Sequence, residues 1–244
     1  MADFTVEIAG CTAAVHSLFD STRDYCRDYL TQTPPRCAIR ITPDDLLREQ
    51  RLADLEAEQE GFRRRKFTDP FLERAAMLRA FAAFALTQGV ILTHGSAIAV
   101  DGRGYLFLAR SGTGKSTHTR LWRELLGHRA RMINDDHPFL CPTPEGYDLC
   151  GSPWSGKHGL HSPIRVPLAG ICLLERGVEN AIAPLAPRQA LPGLAGHCLC
   201  PEPMLQKIAS ATPLWQLTCN REPTAAQMAF AAMSGENIQK DGTP

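Results

Sequence analysis

The chain lacks a dominant charge: 26 lysines and arginines meet 26 aspartates and glutamates. No global field therefore draws it to nucleic acid or to an anionic membrane, and neither is expected as a partner. Long apolar runs are also missing. The richest stretch, Phe71 to Val90, is interrupted by Glu73, Arg74, Arg79 and Gln88, so it reads as a buried helix and not a membrane span. No basic-then-apolar leader follows Met1, which makes the cytoplasm the expected location. The nine cysteines are scattered and odd in number. That pattern predicts reduced thiols in place of a disulfide framework. Zinc spacings such as Cys-x-x-Cys are absent, and His197-Cys198-Leu199-Cys200 is only a faint metal motif.

What is present suits one generous domain or a core with a smaller lobe. Short strands are expected at Phe4–Ala9 and Cys37–Ile41, and an amphipathic helix from Asp44 to Glu60. Arg63-Arg64-Arg65-Lys66 reads as a solvated basic face. Asp69 as N-cap and Pro70 in the first turn predict a helix running to about Gln88. Strands Val90–Val100 and Tyr105–Ala109 follow, joined as a hairpin through Asp101-Gly102-Arg103-Gly104. A helix over Ser116–Leu126 should end at Gly127, and a strand over Arg131–Ile133 comes next. Pro138–Pro167 reads as loops and short strands, Leu168–Glu175 as a buried strand, and Pro184–Pro203 as irregular with a helix or two. Pro223–Met233 reads as the closing helix. The expected organisation is an N-terminal α+β lobe over residues 1–88, a core over 89–235 and a flexible tail over 236–244.

The strongest chemical signal is Ala109-Arg110-Ser111-Gly112-Thr113-Gly114-Lys115-Ser116-Thr117. A glycine loop between a strand and a helix turns backbone N–H groups toward phosphate oxygens, and the helix adds its positive dipole end. Residues Ser111 to Thr117 therefore read as a nucleoside triphosphate P-loop. Lys115 is expected on the β- and γ-phosphates and the Ser116 hydroxyl on Mg²⁺. Ala109 replaces the motif's first glycine, a mild departure at the turn out of the strand.

Phosphoryl transfer to an alcohol also needs carboxylate near the metal and a base for the acceptor's proton. Asn134-Asp135-Asp136 lies past the loop, at the end of the next strand, where a βαβ order brings residues beside the phosphate site. Asp135 and Asp136 can divide the work, one on Mg²⁺ and one as base; the bland alternative is a polar turn. His94 is as readily a satisfied structural histidine as a catalytic one. Lys157, in the glycine-bracketed run Gly151–Lys157, is either a surface cation or a contact to the moving phosphoryl group.

These residues together resemble the HPr kinase/phosphorylase and ATP-dependent phosphoenolpyruvate carboxykinase superfamily. His94-Gly95-Ser96, the hairpin feeding the loop, Ser111–Thr117 and Asn134-Asp135-Asp136 carry the resemblance, which continues more loosely through Gly151–Lys157 and Val166–Glu175. It implies an α/β fold with a P-loop core and mixed sheet. It also implies Lys115 on phosphate, Ser116 on metal, the two aspartates as metal ligand and base, and His94 as a polar neighbour of the transferred group. Related enzymes are often homo-oligomers, although this sequence leaves its own state open. The HPr kinase C-terminal signature and the carboxykinase's further arginine and metal elements have no counterpart here. Neither HPr as substrate nor decarboxylation is implied.

The expected activity is an ATP- and Mg²⁺-dependent kinase acting on a serine-type hydroxyl of a peptide, protein or small molecule. By elimination, the motif-free N-terminal lobe would hold the acceptor. An NTP hydrolase or nucleotide switch, and a non-catalytic nucleotide-binding scaffold, are the alternatives the sequence leaves open.

Overall fold

A computed structural model gives a mixed α/β fold with one large mixed sheet and one small one, and it describes residues 1–59 and 61–236. The chain divides into two compact units, Met1–Val90 and Ile91–Pro244. No helix among the described residues is long and apolar enough to cross a membrane.

In the first unit, strands β1 (Ala2–Ile8) and β2 (Cys11–Ser17) form an antiparallel hairpin, and β3 (Cys37–Arg40) adds in parallel beside β2. Helices α1 (Asp20–Tyr25), α2 (Pro43–Gln59) and α3 (Asp69–Thr87) complete the unit. The N-cap of α3 is Thr68, not Asp69. The Thr68 carbonyl accepts from the Phe71 and Leu72 amides at 3.0 Å, which leaves Asp69 and Pro70 inside the first turn. Met77, Phe81 and Ala85 are wholly buried along this helix. Glu73 is buried with them, and its carboxylate accepts from the Leu18 amide and the Thr22 hydroxyl. Those donors offset the cost of taking the carboxylate out of water. Arg79 donates to both oxygens of Glu49, at 2.7 and 3.0 Å, and ties α3 to α2. The basic run is exposed, with Arg64 paired to Glu58. Glu60, the expected end of α2, lies outside the described residues.

The second unit is organised by a mixed sheet of ten strands. The expected strand Val90–Val100 is broken at His94 into β4 (Ile91–Thr93) and β5 (Gly95–Val100). The two pieces pair with different neighbours, so the chain changes sheet partners at the histidine. β5 turns through Asp101 and Gly102 alone, Val100 standing opposite Arg103, and returns as β6 (Arg103–Leu108). That is a tighter hairpin than the four-residue linker expected. Helix α4 (Lys115–Leu126) follows the glycine loop, and β7 (Ala130–Asn134) pairs antiparallel with β5. β8 (Phe139–Thr143), β9 (Gly146–Cys150) and the long β10 (Arg165–Arg176) come next.

β10 joins the halves of the sheet. Arg165–Pro167 pairs antiparallel with β9, while later residues run parallel to β6 on one side and to β13 (Leu214–Cys219) on the other. β11 (Ala181–Pro184) covers β13, and the two-residue β12 (Cys198–Leu199) pairs with β4. The stretch Pro184–Pro203 holds α5 (Pro187–Ala195) and the start of α6 (Glu202–Ala211). α7 (Pro223–Ser234) closes the unit. Glu236 accepts from Arg129 at 2.6 Å, and the rest of the expected tail, 237–244, lies outside the described residues.

Because β6, β7, β10 and β13 all run in one direction, the segments that leave their C-terminal ends collect along one edge, which is the binding edge of such sheets. Behind it, α4 and α7 seal the core. Trp122 is wholly buried among Tyr105, Phe107 and Phe230, with ring centroids 5.1, 5.1 and 5.4 Å away. Aromatic pairs of this kind contribute about 1 kcal/mol each beyond their area.

His118 lies in the same core and makes stability pH-dependent. Trp122 Nε1 donates to His118 Nε2 at 3.0 Å, so the ring is neutral, and burial lowers its pKa from 6.5 to about 4. As pH falls below 6.5 the unfolded chain takes up a proton that the folded ring refuses. The stability held by the neutral ring is therefore complete above that value and drains away toward about pH 4. For the nucleotide-free protein, the unfolding free energy in urea should fall by about 2 kcal/mol between roughly pH 7.5 and 5 on this account alone. His118→Gln keeps an acceptor for Trp122 without titrating, and should flatten that part of the slope. An unchanged slope would remove His118 from the explanation.

Candidate active site

Where β6 ends, Ala109 is still buried, and the chain then lifts into an exposed loop before α4. Gly112 and Gly114 take φ of 75° and 126°, and the space beside both α-carbons is open. A side chain at either would strain the backbone, although nothing stands in its way. Lys115, the first residue of α4, is buried, and its Nζ donates to the Ala109 carbonyl at 2.8 Å across the loop. Burial lowers its pKa, while the nearby Asp136 and Asp135 pull it back up. Arg176, at the end of β10, braces the loop from outside by donating to the carbonyls of Gly112 and, at 3.2 Å, Thr113.

Past β7, Asn134 shapes the acidic turn. Its side-chain oxygen accepts from the Asp136 and His137 amides at 2.8 and 2.7 Å, and its Nδ2 donates to the Ser152 carbonyl at 2.8 Å. The two aspartates then part company. Asp135 is buried and accepts from Ser96 Oγ at 2.7 Å. Asp136 is more open, with His94 Nε2 3.4 Å from one carboxylate oxygen and His137 Nδ1 3.2 Å from the other. Burial opposes ionisation of Asp136, but contacts with His137 and His94 outweigh it and hold the carboxyl well below the usual range. The His94 ring stacks on His137 at 5.7 Å and meets His197 edge-on at 6.0 Å. Burial and then the neighbouring His94, Lys115 and Arg110 lower the pKa of His197 to about 4.

The third side of the site is the loop after β9. Ser152 is buried and donates to the His137 carbonyl at 2.6 Å, which fastens this loop to the acidic turn. Gly156, at φ 67°, sits so close that a methyl group there would lie 3.2 Å from an Asp136 carboxylate oxygen. Lys157 and His158 follow, both exposed.

These pieces line one cleft of about 520 Å³: His94, Ser111, Gly112, Gly114 to Thr117, Asp135, Asp136 and Gly156 to His158. Thr113 is not among the cleft's lining residues; it lines an adjoining recess of about 250 Å³ with Leu121, Leu174, Asn220 and Arg221. From the sequence, His137 follows the acidic pair without an assigned role, His197 stands only in a faint metal motif, and Ser152 only within the run Gly151–Lys157. Arg176 gives no sequence signal. His197, Ser152 and Arg176 lie far along the chain and meet the site only through the topology.

Among the described residues no three His, Cys, Asp or Glu side chains converge as a metal cage. A magnesium ion held chiefly by phosphate oxygens needs fewer protein ligands. The cleft presents the Ser116 hydroxyl and the carboxylates of Asp135 and Asp136, a set of hard oxygens suited to that ion.

No protein-family model matches the chain, and no curated protein matches it. A solved structure, the HPr(Ser) kinase/phosphatase from Coxiella burnetii, is similar over 59% of this chain and 99% of its own, at 10% identity and a TM-score of 0.36. Likeness at that level transfers no residue's role.

Proposed function

We propose that this protein is an ATP- and Mg²⁺-dependent kinase that phosphorylates a hydroxyl of a peptide, protein or small molecule, built on a P-loop core of the HPr kinase and carboxykinase kind. One observation carries the reading: the glycine loop, Lys115 and the Asp135–Asp136 pair line the same cleft. A cleft with an open loop, a buried ammonium and two carboxylates in different surroundings has the parts that phosphoryl transfer requires.

The roles follow from those surroundings. Residues Ser111 to Thr117 cradle the phosphates, and Lys115 exchanges the Ala109 carbonyl for them. The nucleoside extends toward the recess beside Asn220 and Arg221. Ser116 and Asp135 hold Mg²⁺, which neutralises phosphate charge when bound. Asp136 accepts the acceptor's proton as the acceptor oxygen bonds to the γ-phosphorus and the bond to the β–γ bridging oxygen breaks, releasing ADP. Its low pKa makes it a weak base. That suffices where the transition state is loose and the acceptor's proton departs late. His94 and His137 keep the carboxylate aimed, and Lys157, at the rim, balances charge on the moving group.

The test is incubation with γ-labelled ATP, Mg²⁺ and a cell extract separated into small and large molecules, alongside Asp135→Asn and Asp136→Asn. Label entering one fraction, and failing to do so with either variant, is the expected result. Label released only as inorganic phosphate would replace the kinase with a hydrolase or switch. ATP bound without turnover would leave a scaffold.

A further outcome concerns Gly156. Alanine there and at Gly159, also left-handed at φ 61° but with open space beside it, should each cost about 1 kcal/mol in urea unfolding. Only Gly156→Ala presses on Asp136, so only it should also slow phosphoryl transfer. Equal transfer rates in the two variants would show that the contact does not matter.

A further inference from the structure

We infer that Ser96 and Thr119 are positioning residues: a buried hydroxyl relay that sets Asp135 in register with the first turn of α4 for metal binding. The inference rests on the kinase reading above and assigns roles to two residues outside the cleft lining.

Ser96 and Thr119 are essentially without exposure, and Asp135 is nearly so. Ser96 Oγ lies 2.7 Å from Asp135 Oδ1 and 2.9 Å from Thr119 Oγ1. An ionised carboxylate only accepts, so the single proton of Ser96 is committed to Asp135. Ser96 must then accept from Thr119, and the direction of both bonds is set. Thr119 stands one helical turn beyond Lys115; with its one proton given to Ser96 at the shorter distance, the carbonyls of Lys115 and Ser116 at 3.3 Å are packing neighbours and not acceptors. Three elements thus meet at one serine: β5, the end of β7 and the opening of α4. The relay links the carboxylate of Asp135 to the turn that carries the Ser116 hydroxyl, the two groups assigned to Mg²⁺. Hydrogen-bond partners behind a metal ligand orient it and strengthen its hold on the ion.

A purely structural serine would affect stability and nothing else. The discriminating quantity is the gain in ATP affinity that Mg²⁺ confers, measured by calorimetric titration with Mg²⁺ and again in EDTA. Ser96→Ala and the near-isosteric Thr119→Val should each cut that gain about tenfold. Affinity in EDTA should stay at the wild-type value, and Ser96→Thr should retain the gain. If Ser96→Ala does not fold, Thr119→Val carries the test. Variants that lose stability yet keep the full Mg²⁺-linked gain would overturn the relay and leave the kinase reading intact. Wild-type protein that binds ATP equally well with and without Mg²⁺ would overturn the relay while sparing nucleotide binding. Wild-type protein that binds no ATP would overturn both.

Discussion

Asp136→Asn is expected to slow phosphoryl transfer by about a thousandfold, within the range lost when a general base is removed. ATP affinity in the presence of Mg²⁺ should change little, because Asp135 and Ser116 carry the metal in the proposed arrangement. The asparagine fits the same space, and the amides of residues 136 and 137 remain bound to Asn134. Loss of activity through collapse of the turn is therefore not expected, and urea unfolding will check that it has not occurred. His94 and His137 lose their anionic partner in this variant. Asp135→Asn makes the contrast. It weakens Mg²⁺-linked ATP binding, so its effect should appear in affinity as well as in turnover. The two aspartates adjoin in sequence, yet the structure gives them different burial and different partners. If Asp136→Asn turns over at the wild-type rate, the base lies elsewhere. If both variants lose ATP affinity equally, the division of labour is wrong.

That division was not readable from the sequence, and the reason lies in where the determinants sit. The pair Asp135-Asp136 was visible as a pair. What separates its members is Ser96, 39 positions earlier, and His94 beside it. Local reading made the long elements legible, through start and stop signals for α3 and α4 and an apolar run for β10, and the two helices and the buried middle of β10 stand close to their expected bounds. It failed where tertiary pairing overrode it. Val90 to Val100 is one apolar run, but its halves join different strands, so the break at His94 depends on partners and not on local residues. β2 escaped because Cys11 to Ser17 is small and mostly buried on both faces, leaving no alternation to read. α5 was obscured by Pro192 inside it, which locally signals a break. Arg176 braces a loop 64 residues away, and no spacing rule reaches that far.

Lys115→Met should be the most damaging change at the phosphate end of the cleft. Removing one preorganised donor from a developing charge costs about 100- to 1,000-fold in rate, and the ground-state phosphates lose the same contact, so ATP affinity should fall too. The protein itself should not suffer. The wild-type ammonium is buried, and burial already works against its charge, while methionine fills similar space without needing the Ala109 carbonyl. Unfolding free energy should therefore stay near the wild-type value: relief of the buried charge is set against the Ala109 carbonyl left without its donor and the repulsion that Asp135 and Asp136 then exert on each other. Loss of ATP binding in a variant as stable as wild type would place the defect in the site and not in the fold. A stable Lys115→Met protein that binds ATP with undiminished affinity would mean that the lysine serves the loop alone, holding Ala109 across its neck. If this variant also kept full biological activity, phosphoryl transfer would not be what the chain is for, and the scaffold reading would take its place.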